Sequence, residues 1–350
     1  MPSAASVATP ATDWVGSLSP WPEEFGLERM RDLLARLGDP QRAYPAIHVV
    51  GTNGKSTATR TIAELLRAEG LAAGAYTSPH VSGWHERLDC DPATFERAVA
   101  RVRDSAEPLG ATQFEVLTAA ALLEFEEEGV DVAVVEAGLG GRLDATNVVD
   151  AEVVLLTDVA LEHTEVLGDT AEQIAREKLA VAHAARVVVL SDNSFARLAP
   201  EDAEVLLGGA HEAAEAFAGR PIDRDPEVVL PGRLELRDGE VRDGAHTPEA
   251  VDWLLARLPA ENYVLCVSIL VDKRVDELLE RLGRAGRTLV ATRSSNPRAL
   301  AADELAERAR EHFEHVEAVA GPHDALARAR EIGTPVLVTG SLYLLADLHA

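Results

Sequence analysis

The residues Gly51, Thr52, Asn53, Gly54, Lys55, Ser56 and Thr57 carry the densest chemistry in the chain. The apolar run Ile47, Val49 and Val50 before them reads as a buried strand, and Lys55 onward reads as a helix. Strand, glycine turn and helix N-terminus together aim backbone N–H groups at an anion. The glycines let the backbone approach a phosphate, Lys55 adds a positive charge, and Ser56 or Thr57 offers a hydroxyl to Mg2+. A strict phosphate loop needs a glycine where Val49 stands, so a plain glycine turn joining strand to helix is the competing reading. Two more polar clusters follow buried strands. Thr77-Ser78-Pro79-His80 ends the run 72–76, where open α/β sheets bind ligands. Glu136 ends the apolar run 130–135 and leads into Gly138-Leu139-Gly140-Gly141-Arg142-Leu143-Asp144. A carboxylate there costs stability without a partner. A metal ion and a Lys or Arg are both candidates, and spacing alone favours the ion pair.

The elements that must position these groups follow from periodicity. Helical spacing runs through 27–37, from Lys55 to Glu69 with Gly70 as its cap, and through 92–105, 114–128 and 171–184. Strands are expected at 72–76, 130–135, 153–156 and 186–190, with 130–135 continuous in apolar character and so covered on both faces. The pattern weakens over 191–228, where only a helix at 210–218 stands out. Alternation then resumes, with strands near 264–270, 288–292, 316–319 and 335–339 and helices at 249–258, 275–282, 303–312 and 323–332. The reading is a mostly parallel P-loop-type α/β sheet flanked by helices, followed by a smaller α/β domain. The boundaries are a loose lead-in over 1–20, a nucleotide-binding domain over 21–228 and a C-terminal domain over 229–350.

Composition narrows the function classes. A net charge of −26 argues against nucleic acid as a partner and makes each local cation count for an anionic substrate. Cys90 and Cys266 are too few and too far apart for a disulfide framework. No apolar run approaches the roughly 18 residues of a membrane span, and no signal peptide is evident. A cytoplasmic protein without a membrane partner, acting as a monomer, is expected.

Taken in order, LERMRDLLARLGDPQRAYPAIHVVGTNGKST, YTSPHV with HERL, VDVAVVEAGLGGRLDATNVVD, EHTEVLGDTAEQIAREK, LPGRLE, DGAHTPEA and VTGSLYL resemble the folylpolyglutamate synthase/dihydrofolate synthase family of the Mur ligase superfamily. The resemblance implies a ligase that joins L-glutamate to a pterin carboxylate. ATP phosphorylates the carboxylate, and the glutamate amine attacks the acyl phosphate. Residues Gly51 to Thr57 would then hold the ATP phosphates. Ser78, Glu136 and His163 would hold Mg2+, so the resemblance turns the reading of Glu136 towards the metal. Lys178 matches a lysine that is carbamylated in relatives, becoming a ligand for a second Mg2+; a solvated Glu177–Lys178 pair is the alternative. Arg142, Leu143 and Asp144 resemble the pterin contact, Arg233 and Asp243 resemble ATP contacts at a domain cleft, and His246 lies beside them as a catalytic candidate with His163 and Lys178. Ser56 stands where the folate ligases place glycine, which gives Thr57 the hydroxyl position, and Glu162 and Thr247 depart from the family's aspartate and asparagine. The segment between Lys178 and Arg233 is several tens of residues shorter than in relatives and leaves no residue assigned to the adenine. A Mur-type ligase with a non-folate acceptor, and a nucleotide-binding protein without ligation, are the alternatives.

Overall fold

A computed structural model describes residues 10–349. The chain packs as two compact units, one built from residues up to Pro79 with Trp84–Val228, the other from His80–Gly83 with Val229 onward.

The first unit holds six strands: β1 (Ala46–Val50), β2 (Ala73–Tyr76), β3 (Val132–Glu136), β4 (Ala151–Leu156), β5 (Val187–Leu190) and β6 (Glu204–Leu207). They pair in the order β2-β3-β1-β4-β5-β6, parallel throughout. Every residue of β1, β2, β3 and β5 is buried, which a parallel sheet achieves only with helices on both faces. Because side chains alternate across a strand, Ile47, Val49, Val132, Val134, Val153 and Leu155 share one face. They pack against Ile62, Leu65 and Leu66 of the helix Lys55–Ala68 and Ala213 and Ala214 of the helix Ala210–Ala218. Val50, Ala133, Val135 and Val154 meet the helices Pro92–Ala106 and Gln113–Glu128 on the other face. Both of these helices start where the sequence can satisfy orphan amides: the Asp91 carboxylate accepts from Ala93 and Thr94, and Thr112 with Glu115 forms a capping box. The chain leaves β1 towards β2 on one side and leaves the neighbouring β4 towards β5 on the other, so the loops after β1 and β4 open at a topological switch point, with the loop after β3 beside them.

Three sequence expectations change. The described part of the expected loose lead-in contains a helix, Ala11–Ser17, with Trp14 and Val15 in the core and the Ala11 and Thr12 amides bonded to the Glu96 carboxylate. Residues 1–9 lie outside the described residues. The helix expected over 171–184 is α-helical only over Ala171–Lys178 and continues as the tighter turns Leu179–Ala184. The short segment after Lys178 nonetheless completes the sheet, supplying β5, the edge strand β6 and the helix Ala210–Ala218. β6 escaped notice because its four residues are half-buried or exposed and open on a charge.

The second unit holds β7 (Glu235–Arg237), β8 (Glu240–Arg242), β9 (Val264–Val267), β10 (Thr288–Ala291), β11 (His315–Ala318) and β12 (Val336–Thr339), in the order β11-β10-β9-β12-β8-β7. All pairs are parallel except the hairpin β7–β8, which turns at Asp238-Gly239 with Gly239 at φ 67°. The helices Pro248–Leu255, Val275–Leu282, Ala302–Ala309 and Pro322–Ile332 lie between its strands. Among the described residues no helix is long and apolar enough to cross a membrane.

Candidate active site

The glycine loop leaves the buried end of β1 with Gly51 at φ 151° and Gly54 at φ 77°. Both values fall where L side chains are strained, and a Cβ on Gly51 would come within 1.9 Å of Thr157 Oγ1. Gly54 is the N-cap of the helix Lys55–Ala68, and Ala58 is the first residue to bond back, to Gly54 O at 2.9 Å. The amides of Lys55, Ser56 and Thr57 therefore have no helical acceptor and point out of the N-terminus, the arrangement that binds phosphate. Lys55 folds back, its Nζ donating to Thr52 O at 3.1 Å.

Glu136 closes β3 with 1% exposure. Its Oε1 accepts from Ser56 Oγ at 3.1 Å and its Oε2 from the Ser78 amide at 2.9 Å. The hydroxyl that meets Glu136 belongs to Ser56, whereas Thr57 is exposed. Ser56, Ser78 and Glu136 thus gather at the mouth of the glycine loop, an oxygen-rich set suited to a hard divalent cation. Among the described residues no three His, Cys, Asp or Glu side chains gather as a metal site, so any cation here must draw on hydroxyl or other ligands too.

Lys178, at the end of the helix Ala171–Lys178, is 4% exposed, and its Nζ donates to Gly51 O at 2.6 Å. The solvated-pair alternative does not hold: this amine sits inside the unit, against the glycine loop. Burial, aided by the Lys55 charge, pushes its pKa down from 10.5 to about 7, against the opposing pull of Glu162, Asp158 and Asp144. A neutral amine at physiological pH is a nucleophile that can take up CO2.

Residues 138–144 lie against the same helix end. The Arg142 amide donates to Glu177 O at 3.1 Å, its Nε meets Glu177 Oε2 at 3.1 Å, and a Cβ on Gly141 would meet Lys178 O at 2.5 Å. Arg142 and Leu143 are exposed, Leu143 to 44%. Asp144 is not: its carboxylate is 6% exposed and accepts from the Leu139 amide at 2.7 Å, the Thr146 amide at 3.0 Å, Thr146 Oγ1 at 2.5 Å and the Gly138 amide. Those bonds occupy both oxygens, so Asp144 shapes the loop and leaves Arg142 and Leu143 to face outward. The Thr146 hydroxyl proton goes to Asp144, so buried His48, at 2.8 Å from Thr146 Oγ1, must donate from Nε2. Burial drives the His48 pKa down to about 3 and keeps the ring neutral. His163 stands in the left-handed region at φ 51°, capping the turn Thr164–Leu167, half-buried between Glu162 and Glu165, each 3.8 Å away.

In the second unit Arg233, Asp243 and His246 gather at the end of β8. The Gly244 amide donates to Gly232 O at 2.9 Å and ties the two loops together. The Asp243 carboxylate accepts from the Leu234 and Ala245 amides at 2.7 and 2.8 Å, and burial pushes its pKa up. His246 Nδ1 lies 2.8 Å from Gly244 O and so carries a proton there.

Sequence reasoning passed over Thr157 and Asp158, directly after β4. Asp158 Oδ1 accepts from the Thr52 and Asn53 amides at 2.9 and 2.6 Å, and Thr157 Oγ1 donates to Asn53 O at 2.7 Å. The signal was available: polar residues after a buried strand mark the ligand edge of the sheet, the rule that found Ser78 and Glu136.

Residues 49–227 match the family described as Mur ligase middle domain. The dihydrofolate synthase/folylpolyglutamate synthase of Mycobacterium tuberculosis is 33% identical over 84% of this chain and 80% of its own length. Its alignment runs over 389 positions against a chain of 350 residues, so many of its positions lie opposite gaps. A solved Escherichia coli FolC in complex with DHPP and ADP superposes with a TM-score of 0.85 at 27% identity, covering 97% of both chains. A solved bifunctional folylpolyglutamate synthase/dihydrofolate synthase with Mn, AMPPNP and L-glutamate bound gives 0.83 at 27%, again over 97% of both. On sequence and structure alike, the chain belongs to the folylpolyglutamate synthase/dihydrofolate synthase family, with residues 49–227 forming its Mur ligase middle domain.

Proposed function

We propose that this protein is an ATP-dependent ligase that joins L-glutamate to the carboxylate of dihydropteroate, of a reduced folate, or of both. One observation carries the reading: the glycine loop, the buried Glu136 with Ser56 and Ser78, and the buried amine of Lys178 converge on one edge of the sheet. Relatives solved with ADP, with DHPP and with Mn, AMPPNP and L-glutamate support the substrates and the divalent cation.

A carboxylate is a poor electrophile, and phosphorylation gives it a leaving group. The γ-phosphoryl group of ATP passes to the acceptor carboxylate, ADP departs, the glutamate amine attacks the acyl phosphate, and phosphate leaves as the amide forms. The protein's part is positioning and charge neutralisation. The open amides of Lys55, Ser56 and Thr57 and the Lys55 side chain bind the phosphates. Ser78, Glu136 and His163 are the residues to hold Mg2+, with Lys178, once carbamylated, offering oxygen to a second. The cation supplies neutralisation of charge on the transferring phosphoryl group. Arg142 and Leu143 face the pterin side, held out by the buried Asp144. Arg233 and Asp243 serve the nucleotide, and His246 is placed to accept or relay a proton. A monomer in the cytoplasm, without nucleic-acid or membrane partners, fits the acidic chain.

The test is glutamate-dependent phosphate release, with product masses read for dihydropteroate and tetrahydrofolate side by side. One added glutamyl residue on either acceptor is expected. Turnover on neither, with a muramyl peptide precursor accepted instead, would reject the folate assignment.

A further inference from the structure

Half of the glycine loop is already spoken for by the protein itself. Gly51 O accepts from Lys178 Nζ. Thr52 N–H lies 2.9 Å from Asp158 Oδ1 and 3.1 Å from Asp158 O. Asn53 N–H donates to the same Oδ1 at 2.6 Å, and Asn53 Nδ2 to Oδ2 at 2.9 Å. Thr157 Oγ1 caps Asn53 O, and the Ala160 amide donates to Thr52 Oγ1 at 3.0 Å. The loop after β4 therefore grips residues 51–53 from one side, and the Asp158 carboxylate is the centre of the grip. A carboxylate shared by two successive backbone amides satisfies donors that would otherwise draw an anion.

We infer that Asp158 is the positioning residue of the glycine loop: it occupies the Thr52 and Asn53 amides, so that only the amides from Gly54 onward are offered to the triphosphate. This rests on the nucleotide reading above. Without it, Thr52 and Asn53 lose the carboxylate that fixes them to the loop after β4, and nucleotide binding must order this part of the loop at a cost in affinity. With it, the loop is held ready and the phosphates have one seat, at the N-terminus of the helix Lys55–Ala68.

The experiment is titration calorimetry of the full-length protein with ADP and with AMPPNP in the presence of Mg2+, alongside kcat and the KM for ATP. Wild type must bind both nucleotides; if it does not, the nucleotide reading itself fails, separately from this inference. Asp158→Ala frees the Asn53 amide and leaves Thr52 N–H only the main-chain oxygen of residue 158, and is expected to raise Kd and KM about tenfold or more, or ~1.4 kcal/mol and upward, while kcat stays within about threefold. Asp158→Asn keeps one oxygen able to accept both amides and is expected to stay within about threefold of wild type. Asp158→Glu keeps the charge but moves the acceptors by one methylene; it is expected to lose affinity as the alanine variant does, and it decides the matter should alanine not fold. Wild-type affinity in Asp158→Glu or Asp158→Ala, or an equal loss in Asp158→Asn, overturns the assignment.

Discussion

Replacing Lys178 by Met should stabilise the folded protein at neutral pH while abolishing ligation. The amine is 4% exposed, and its folded pKa of about 7 lies below the unfolded value of 10.5. Lys55, Glu162, Asp158 and Asp144 are the charged groups that act on it. A base whose folded pKa is depressed is protonated in the unfolded chain and neutral in the folded one across the window from about 7 to 10.5. Stability therefore rises with pH through that window, by ~1.4 kcal/mol per unit, and the burial cost is fully present below it. Integrated to pH 7, the cost is about 4 kcal/mol. Met fills the space without that cost but leaves Gly51 O without its donor, a loss of ~1–3 kcal/mol. The net expectation is a variant more stable by about 1–3 kcal/mol at pH 7, with the advantage shrinking by ~3 kcal/mol by pH 9.5. Urea unfolding of both proteins from pH 6.5 to 9.5 in CO2-free buffer reads the difference directly, because all other titrations cancel between them. Parallel stability profiles, or a variant less stable at pH 7, would refute the reasoning.

Removal of the Ser56 hydroxyl takes one of the donors that hold Glu136, so Ser56→Ala should weaken Mn2+ binding, measured by EPR, about fivefold, or ~1 kcal/mol, with ADP binding without metal unchanged. Thr146→Val breaks the bridge between His48 and Asp144 and should cost about 2 kcal/mol in denaturant unfolding; a loss under ~0.5 kcal/mol would show that the bridge is not formed. Trp14→Ala should cost ~3–5 kcal/mol by the same assay, since the ring is packed in the core of the first unit, and a negligible loss would restore the loose lead-in.

Much of the fold was legible because burial writes a strong pattern: β5 and the first four residues of β3 are continuous apolar runs, β1 breaks its run only at His48, and the helix Lys55–Ala68 has its apolar face and a glycine near each end. What escaped was written weakly. β6 and the β7–β8 hairpin are short strands at sheet edges carrying charges, and the helix Ala11–Ser17 is disguised by small residues around Trp14 and Val15. In the site, residue types indicated which groups can act but not which way they face. Asp144 and Arg142 are near neighbours, yet one is buried in its own loop and the other open to solvent. Likewise Ser56 and Thr57 carry equivalent hydroxyls, and only the helix phase turns Ser56 towards Glu136. Lys178 reads as a surface lysine beside a glutamate until the fold places its amine on Gly51 O.

Activation of the acceptor carboxylate is tested most directly by oxygen transfer. Dihydropteroate or tetrahydrofolate labelled with 18O in the carboxylate that receives glutamate, turned over with ATP, Mg2+ and L-glutamate, should give phosphate carrying one labelled oxygen per amide formed. Amide formation with unlabelled phosphate would contradict an acyl phosphate made at this loop.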